Sequence, residues 1–374
     1  MKKISGFSRL KGLAAGGAMS IAGLVGGGTA RAASTALPLD IARSSALWSS
    51  IGNNSRFPSS GAVTTTNGVA FAQSTLAYGI SDAAVATSPS GGGSGAFGDA
   101  FDNAMILSVN GTVFQNPDST VDLTGDTVTS DTVTIVPGVN AQVRYSFIIG
   151  RPVVRALYSL TNTTAAPINV NAAVLGDYGS DNGTQVVATS NGNTVIEASD
   201  LWYITDDGGG GGGKGQAKGT RRDGSPDGVG GGGDPRISLS RYGTGAAVLP
   251  FNALTPGNGD SQTATFGLRY PITIAPGATA RLLVFAQLSE PDISTAGAIA
   301  AARDFESVAA LQAAGLLAGL SAAELSETVN YVRPAEPVVS LPVPALSPTG
   351  LLAMLGAVGG LGYLTLRRRK KTAA

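Results

Sequence analysis

Asp177, Asp181 and Asn182 fall in GDYGSDNGT, a polar stretch that follows an apolar one, and Asp206, Asp207 and Asp234 border two glycine runs. Oxygen donors gathered on loops are what a hard cation such as Ca²⁺ takes, six to eight at a time. No EF-hand spacing accompanies these residues, and Asp and Asn in turns stabilise the turn through their own side-chain hydrogen bonds. No metal site is therefore expected. Glycoside hydrolysis would need two carboxylates facing one cleft, yet Glu197 is the only glutamate before Glu290, so such a pair would consist largely of aspartates. Trp202 and Tyr203 beside Asp200 are the residue types of a sugar platform, although an aromatic pair in a strand also serves as core and edge.

The chain contains neither cysteine nor histidine. A disulfide framework, a Ser-His-Asp triad, a Cys-His pair, a histidine-ligated zinc and a histidine-ligated haem are thereby excluded. Catalysis would have to rest on carboxylates, tyrosine, lysine or oxygen-bound cations. The spacing assembles no such set, so the expectation is a surface or matrix domain that is not an enzyme and uses no cofactor.

The elements that would position these residues read as mainly β. Met105–Phe114, MILSVNGTVF, sets Asn110-Gly111 between two apolar runs, a strong hairpin signal. TVTSDTVTIV, VRYSFIIG, VVRALYSLTN and PINVNAAVLG follow at roughly ten-residue spacing, rich in β-branched residues and tyrosine, which suggests an antiparallel sandwich or barrel, with an antiparallel β-sandwich as the fold expected. Ala275-Pro276-Gly277 marks a turn between two further strands. The β domain is expected over 33–290, with a Gly-rich insert at 207–234 that has almost nothing to bury and reads as a disordered loop. Lys214 is followed by glycine, so the insert lacks the Walker pattern of a phosphate loop. From 291 to 332 the period becomes helical, predicting a C-terminal helical pair, and Ser321 with Glu324 has the spacing of a capping box.

Both ends of the chain differ from this body. Residues 1–32 run from the basic MKKISGFSRLKG through a short apolar stretch to TARAAS, the layout of a secretory signal peptide. Ala30 and Ala32 satisfy the small-residue rule, which places the cut between Ala32 and Ala33. At the other end, a Pro-rich spacer over 333–342 leads into VPALSPTG, a sixteen-residue apolar run from Leu351 to Leu366, and the cations Arg367, Arg368, Arg369, Lys370 and Lys371. A helix over that run reaches about 24 Å against a hydrocarbon core of about 30 Å. With Thr349 and Gly350 added, a transmembrane helix is expected at 349–366. The basic tail would stay in the cytoplasm and leave everything before the helix outside, in agreement with the signal peptide.

The formal net charge of zero conceals a segregation. Five cations lie in residues 1–32 and five in the tail; removing these ten from the 25 basic residues leaves 15 against 25 acidic ones, a net of about −10 for the part between. An acidic body argues against nucleic acid as a partner.

The C-terminal region 343–374 resembles the IPTL-CTERM sorting signal, a relative of the PEP-CTERM signals handled by exosortases. Val343, Pro344, Leu346, Ser347 and Gly350 match the motif in order and spacing, whereas Ala345 stands where the family usually has Thr and Thr349 where it often has Trp. The resemblance implies a Gram-negative envelope protein. The N-terminal signal calls for a secretion translocon and signal peptidase as partners, and the resemblance implies an exosortase-like sorting enzyme and a transient stay in the inner membrane. LYSLTNTTAAPINVNAAVLGDYGSD and ITIAPGATARLLVFAQLS also resemble strands of bacterial surface β-sandwiches.

Overall fold

Asn110 and Gly111 adopt φ of 50° and 86°, the left-handed pair of a type I′ turn, and join two short strands where the sequence places the hairpin. The computed structural model describes residues 33–43, 45–56, 76–86, 96–97, 100–101, 103–179, 184–206, 235–255, 265–289 and 293–331. In chain order the strands are β1 (Ala33–Ala36), β2 (Leu39–Arg43), β3 (Ala46–Arg56), β4 (Leu76–Gly79), β5 (Asp82–Ala86), β6 (Ala96–Phe97), β7 (Ile106–Val109), β8 (Thr112–Val113), β9 (Thr120–Thr124) and β10 (Thr127–Thr129). They continue as β11 (Val133–Val136), β12 (Val139–Phe147), β13 (Val153–Asn162), β14 (Ile168–Asp177), β15 (Gln185–Thr189), β16 (Trp202–Asp206), β17 (Ile237–Ser240), β18 (Phe251–Thr255), β19 (Thr265–Ile274) and β20 (Thr279–Leu288).

The large sheet runs β1-β9-β10-β12-β13-β20-β17-β16-β15, with β11 also on β12; a smaller sheet runs β18-β19-β14-β7-β8. A third, β2-β3-β5-β6 with β4 on β3, contributes Ile41, Trp48 and Ile51 to the main core. The pairings between these strands are antiparallel, as expected for a mainly β chain.

Alternation along the strands builds the core. Val139, Ala141, Val143, Tyr145 and Phe147 of β12, Val154, Ala156, Tyr158 and Leu160 of β13, and Leu282, Val284 and Ala286 of β20 face one way. Opposite them lie Val170, Ala172 and Val174 of β14 and Phe266, Leu268, Tyr270 and Ile272 of β19, so the two sheets close over one apolar layer. The other face of β13 and β20 presents Val153, Leu157, Leu283 and Phe285 to a second cluster with Ala298, Ala302, Phe305, Leu311 and Leu316. Strands covered on both sides read as near-continuous apolar runs, which explains VVRALYSL and RLLVFAQL.

Two sequence neighbours do not pair as neighbours. β13 and β14 belong to different sheets, as do β19 and β20, so their turns are corners between layers. Asn162, fully buried, organises both: its Nδ2 donates to the carbonyls of Ala166 (2.7 Å) and Ile274 (3.0 Å), and its Oδ1 accepts from the Thr164 backbone N–H (2.8 Å).

The helical segment comprises α1 (Thr295–Ala302), a 3₁₀ turn at Arg303–Phe305, α2 (Val308–Ala313) and α3 (Ala322–Ser326). The first predicted helix is thus two. Ser307 restarts it, its hydroxyl accepting from the Ala310 N–H at 3.1 Å. The Ser321–Glu324 capping box is present in both directions, at 3.1 and 2.8 Å. Arginines fasten the segment to the large sheet: Arg155 Nη1 donates to the carbonyls of Leu316 (2.7 Å) and Ala318 (2.8 Å), Arg144 pairs with Glu324 (2.8 Å), Arg281 with Glu327 (2.7 Å) and Arg151 with Asp304 (2.7 Å).

The chain divides into a unit spanning 1–332 and another spanning 333–374. The second unit, residues 1–32 with the expected signal peptide, and the insert lie outside the described residues, as therefore does the predicted helix at 349–366. Among the described residues no helix is long and apolar enough to cross a membrane.

Candidate functional site

Among the described residues, the sequence-selected Asp177, Asp200 and Asp206 form no cluster of three acidic groups. Asp200 is fully buried, and its carboxylate accepts from the N–H groups of Glu197 (2.7 Å) and Asn191 (3.1 Å), which closes the loop before β16. Arg241, also fully buried, donates from Nη1 to the carbonyls of Glu197 and Asp200, both at 2.5 Å. Burial lowers the pKa of that guanidinium against the opposing pull of Tyr203, Tyr270, Tyr242 and Asp200. The arrangement is a structural clasp. Trp202 and Tyr203 form no sugar platform: they are 1% and 0% exposed and point to opposite faces of the sheet, Trp202 under the helices and Tyr203 into the main core.

Asp206 pairs with Arg236 at 2.6 Å and so ties together the two ends of the insert. Asp177 is buried at the end of β14, opposite Thr265. Asp181, Asn182, Asp207 and Asp234 lie outside the described residues, as do Ala30, Ala32, the motif Val343 to Gly350 and the tail Arg367 to Lys371; Ala33 is the first residue of β1. Among the described residues no group of three acidic residues stands together as a metal site would require.

A different place draws attention, the outward face of the smaller sheet. The residues of β14 and β19 that alternate away from the core are Asn169, Asn171, Ala173 and Leu175, and Arg269, Pro271 and Thr273. Ser108 and Ile106 of β7 continue the same face. One register row crosses the five strands as Val113, Ser108, Ala173, Arg269 and Phe251. Ala173, Leu175, Ile106 and Ala77 form a small apolar cluster there.

Within that row, Ser108 is 1% exposed and Arg269 5%, and among the described residues neither the Ser108 hydroxyl nor the Arg269 Nη2 meets a hydrogen-bond partner. Burial lowers the Arg269 pKa. The next two rows, Asn171 with Pro271 and Asn169 with Thr273, are exposed and border a surface depression. Thr273 Oγ1 donates to Asn169 Oδ1 at 2.7 Å. The sequence carried one signal for this site, a lone arginine inside the apolar run TFGLRYPITI.

No family model and no curated protein matches the chain. Solved structures do. A galactose mutarotase-like protein from Lactobacillus casei is similar at 10% identity and a TM-score of 0.35, over 67% of this chain and 99% of that one. A galactose mutarotase related enzyme from Lactobacillus acidophilus is similar at 8% identity and 0.32, over 68% and 97%. Heparan sulfate lyase from Pedobacter heparinus is similar at 9% identity and 0.31 over 51% of this chain, which spans about a quarter (24%) of the lyase's length. The expectation that the body is not an enzyme is withdrawn, since two of these similar structures bear the names of enzymes. Likeness at this level assigns neither a reaction nor a substrate to the chain.

Proposed function

We propose that the chain is an exported bacterial envelope protein, an antiparallel β-sandwich with a docked helical segment, delivered to the cell surface by signals at its two ends. In this reading signal peptidase cuts between Ala32 and Ala33. The transmembrane helix at 349–366 and the basic tail then hold the precursor in the inner membrane, and an exosortase-like enzyme cleaves in or beside Val343 to Gly350. The observation that carries the reading is the tripartite C-terminal order of motif, apolar run and five cations, which gives the same topology as the N-terminal signal.

The packing of the body supports it. The buried apolar residues among those described run from Ile41 to Tyr331, so neither cut would delete one of them. Without cysteine, folding outside the cytoplasm needs no oxidation step. Gly356, Gly359, Gly360 and Gly362 interrupt a short apolar run, which suits a transient stay in the bilayer.

The test places one tag after Ala33 and another after Ala374 and follows both through fractionation in a host with the cognate sorting enzyme. The reading predicts that the N-terminal tag reaches the outer surface or medium while the C-terminal tag stays with the inner membrane. Co-migration of both tags at precursor length would favour a permanently anchored type I protein instead.

A further inference from the structure

We infer that residues 320–331 form a detachable strap, a latch at the end of the body that opens as one unit while the β-sandwich stays folded. What the strap closes is a gap beside β20. That strand pairs with β13 from Thr279 to Gln287 on one side, but on the other β17 accompanies it only from Ala286 to Leu288. Before Ala286 its outward N–H groups need other acceptors. Phe285 donates to Ser240 Oγ (2.7 Å), Leu283 to Asn330 Oδ1 (2.9 Å) and Arg281 to the Glu327 carbonyl (2.8 Å). In return the Val329 N–H donates to the Arg281 carbonyl (2.9 Å) and Asn330 Nδ2 to the Leu283 carbonyl (2.8 Å). The fully buried side chain of Asn330 thus stands in for the backbone of a strand.

The far side of the same segment is held as well. Gly243 donates its N–H to the Asn330 carbonyl (2.9 Å), and Ala247 and Val248 donate theirs to the Val329 carbonyl (2.9 and 3.0 Å). Tyr331 closes the end, edge-on to Phe285 with ring centres 6.0 Å apart, and so close over Gly243 that any side chain there would strike its ring. The first part of the strap is fastened more lightly. None of residues 320–327 is buried, and α3 reaches the sheet through the Glu324–Arg144 and Glu327–Arg281 pairs. Partly exposed ion pairs contribute little. Just ahead of the strap, Arg155 fixes the carbonyls of Leu316 and Ala318, and Gly319 follows with φ 79°, a glycine joint after a fixed point. Beyond that joint only Thr328, Asn330 and Tyr331 are buried, so the strap can part from the body without separating the two packed sheets. Under the export reading, on which this one consequence rests, opening adds the length of residues 320–331, about 40 Å of extended chain, between the body and the sorting motif.

Hydrogen exchange of the purified full chain, read amide by amide, tests the strap without reference to export. Gly243, Ala247 and Val248, then Arg281 and Leu283, then Val329 are three sets far apart in sequence whose N–H bonds all involve the strap. They should exchange at one common rate, about tenfold or more faster than the amides of β14 and β19. Asn330→Leu, close in size and unable to make the side chain's bonds, should speed all three sets about tenfold and leave β14 and β19 unchanged. Glu327→Ala, at a partly exposed position, should act in the same direction to a smaller extent, and it serves if Asn330→Leu does not fold. Different rates for the three sets, a common rate no faster than that of β14 and β19, no acceleration in either variant, or equal acceleration of β14 and β19 would overturn the proposal.

Discussion

Tyr145 and Tyr158, on the neighbouring strands β12 and β13, both donate their hydroxyl hydrogen bonds to the carbonyl of Met105, each at 2.8 Å. Met105 immediately precedes β7 of the smaller sheet and adopts φ 58°, a left-handed conformation that a residue with a side chain rarely takes. Two tyrosines of one sheet thus hold the entry to a strand of the other. Either Tyr145→Phe or Tyr158→Phe should cost about 1 kcal/mol, since the carbonyl keeps the second hydroxyl. The double variant should cost more than the sum, about 3 kcal/mol, because it leaves a buried carbonyl without either donor. Urea denaturation of the four proteins reads the coupling; strict additivity would contradict the shared role.

Arg155 is 2% exposed and joins the large sheet to the turn after α2 through the carbonyls of Leu316 and Ala318, with a third bond to Ser146 Oγ at 3.0 Å. Burial, with Arg144 nearby, lowers its pKa to about 10, against the favourable pull of Glu324. Arg155→Ala strands several acceptors and should destabilise the protein by about 2 to 4 kcal/mol. Arg155→Lys should recover less than half of the loss, since one ammonium cannot reproduce the guanidinium's fork. Full recovery in thermal melts would show that charge alone fastens the helices.

Two pH effects follow with opposite signs. Glu324 is pushed up by burial, but the Ser321 N–H and Arg144 outweigh that and hold its carboxyl below the ordinary value. Its contribution is present above the unfolded carboxylate pKa, about 4.3, and is lost as pH falls through the lower folded value. Protease protection of the helical segment should therefore weaken in that acid window in the parent and much less in Glu324→Gln. Burial raises the phenols of Tyr78, Tyr145, Tyr158, Tyr178, Tyr203, Tyr270 and Tyr331 above the ordinary tyrosine value. Stability from keeping them neutral is complete below the unfolded value of about 10 and is lost as pH rises above it. Ultraviolet titration should show these tyrosines ionising only with loss of circular dichroism; ionisation near pH 10 in the folded protein would contradict their burial.

The insert joins β16 to β17, which pair with each other in register from Trp202↔Ser240 to Thr205↔Ile237, and the Asp206–Arg236 pair closes its base. Replacing Gly208 to Gly233 with a short Gly-Ser turn should leave the melting temperature within a few degrees, since loop length costs little. A collapse of the melt would show that the insert contributes to packing.

Local devices were legible in the sequence because each is written in adjacent residues: the Asn110-Gly111 hairpin, the Ser321–Glu324 capping box and the strand runs themselves. The partition of strands between sheets was not. A turn such as Ala275-Pro276-Gly277 has the same chemistry whether it closes a hairpin or carries the chain between layers, and here Asn162, more than a hundred residues away, decides which. The helical period ran unbroken through ARDFESVAAL because Ser307 looks polar and exposed until its hydroxyl is seen to cap α2. One arginine in the run TFGLRYPITI gives no sign of its burial, which the packing of β19 alone reveals: Arg269 is 5% exposed. Trp202 and Tyr203 were readable as strand residues but not as members of two different cores.

The intact mass of the protein recovered from the cell surface or medium tests the export account most directly, because both processing events appear in it. The account predicts a chain beginning at Ala33 and ending in or beside Val343 to Gly350, with the apolar run and all five terminal cations gone. A mass that retains Leu351 to Ala374, or the full 37.2 kDa of the unprocessed chain, would contradict it.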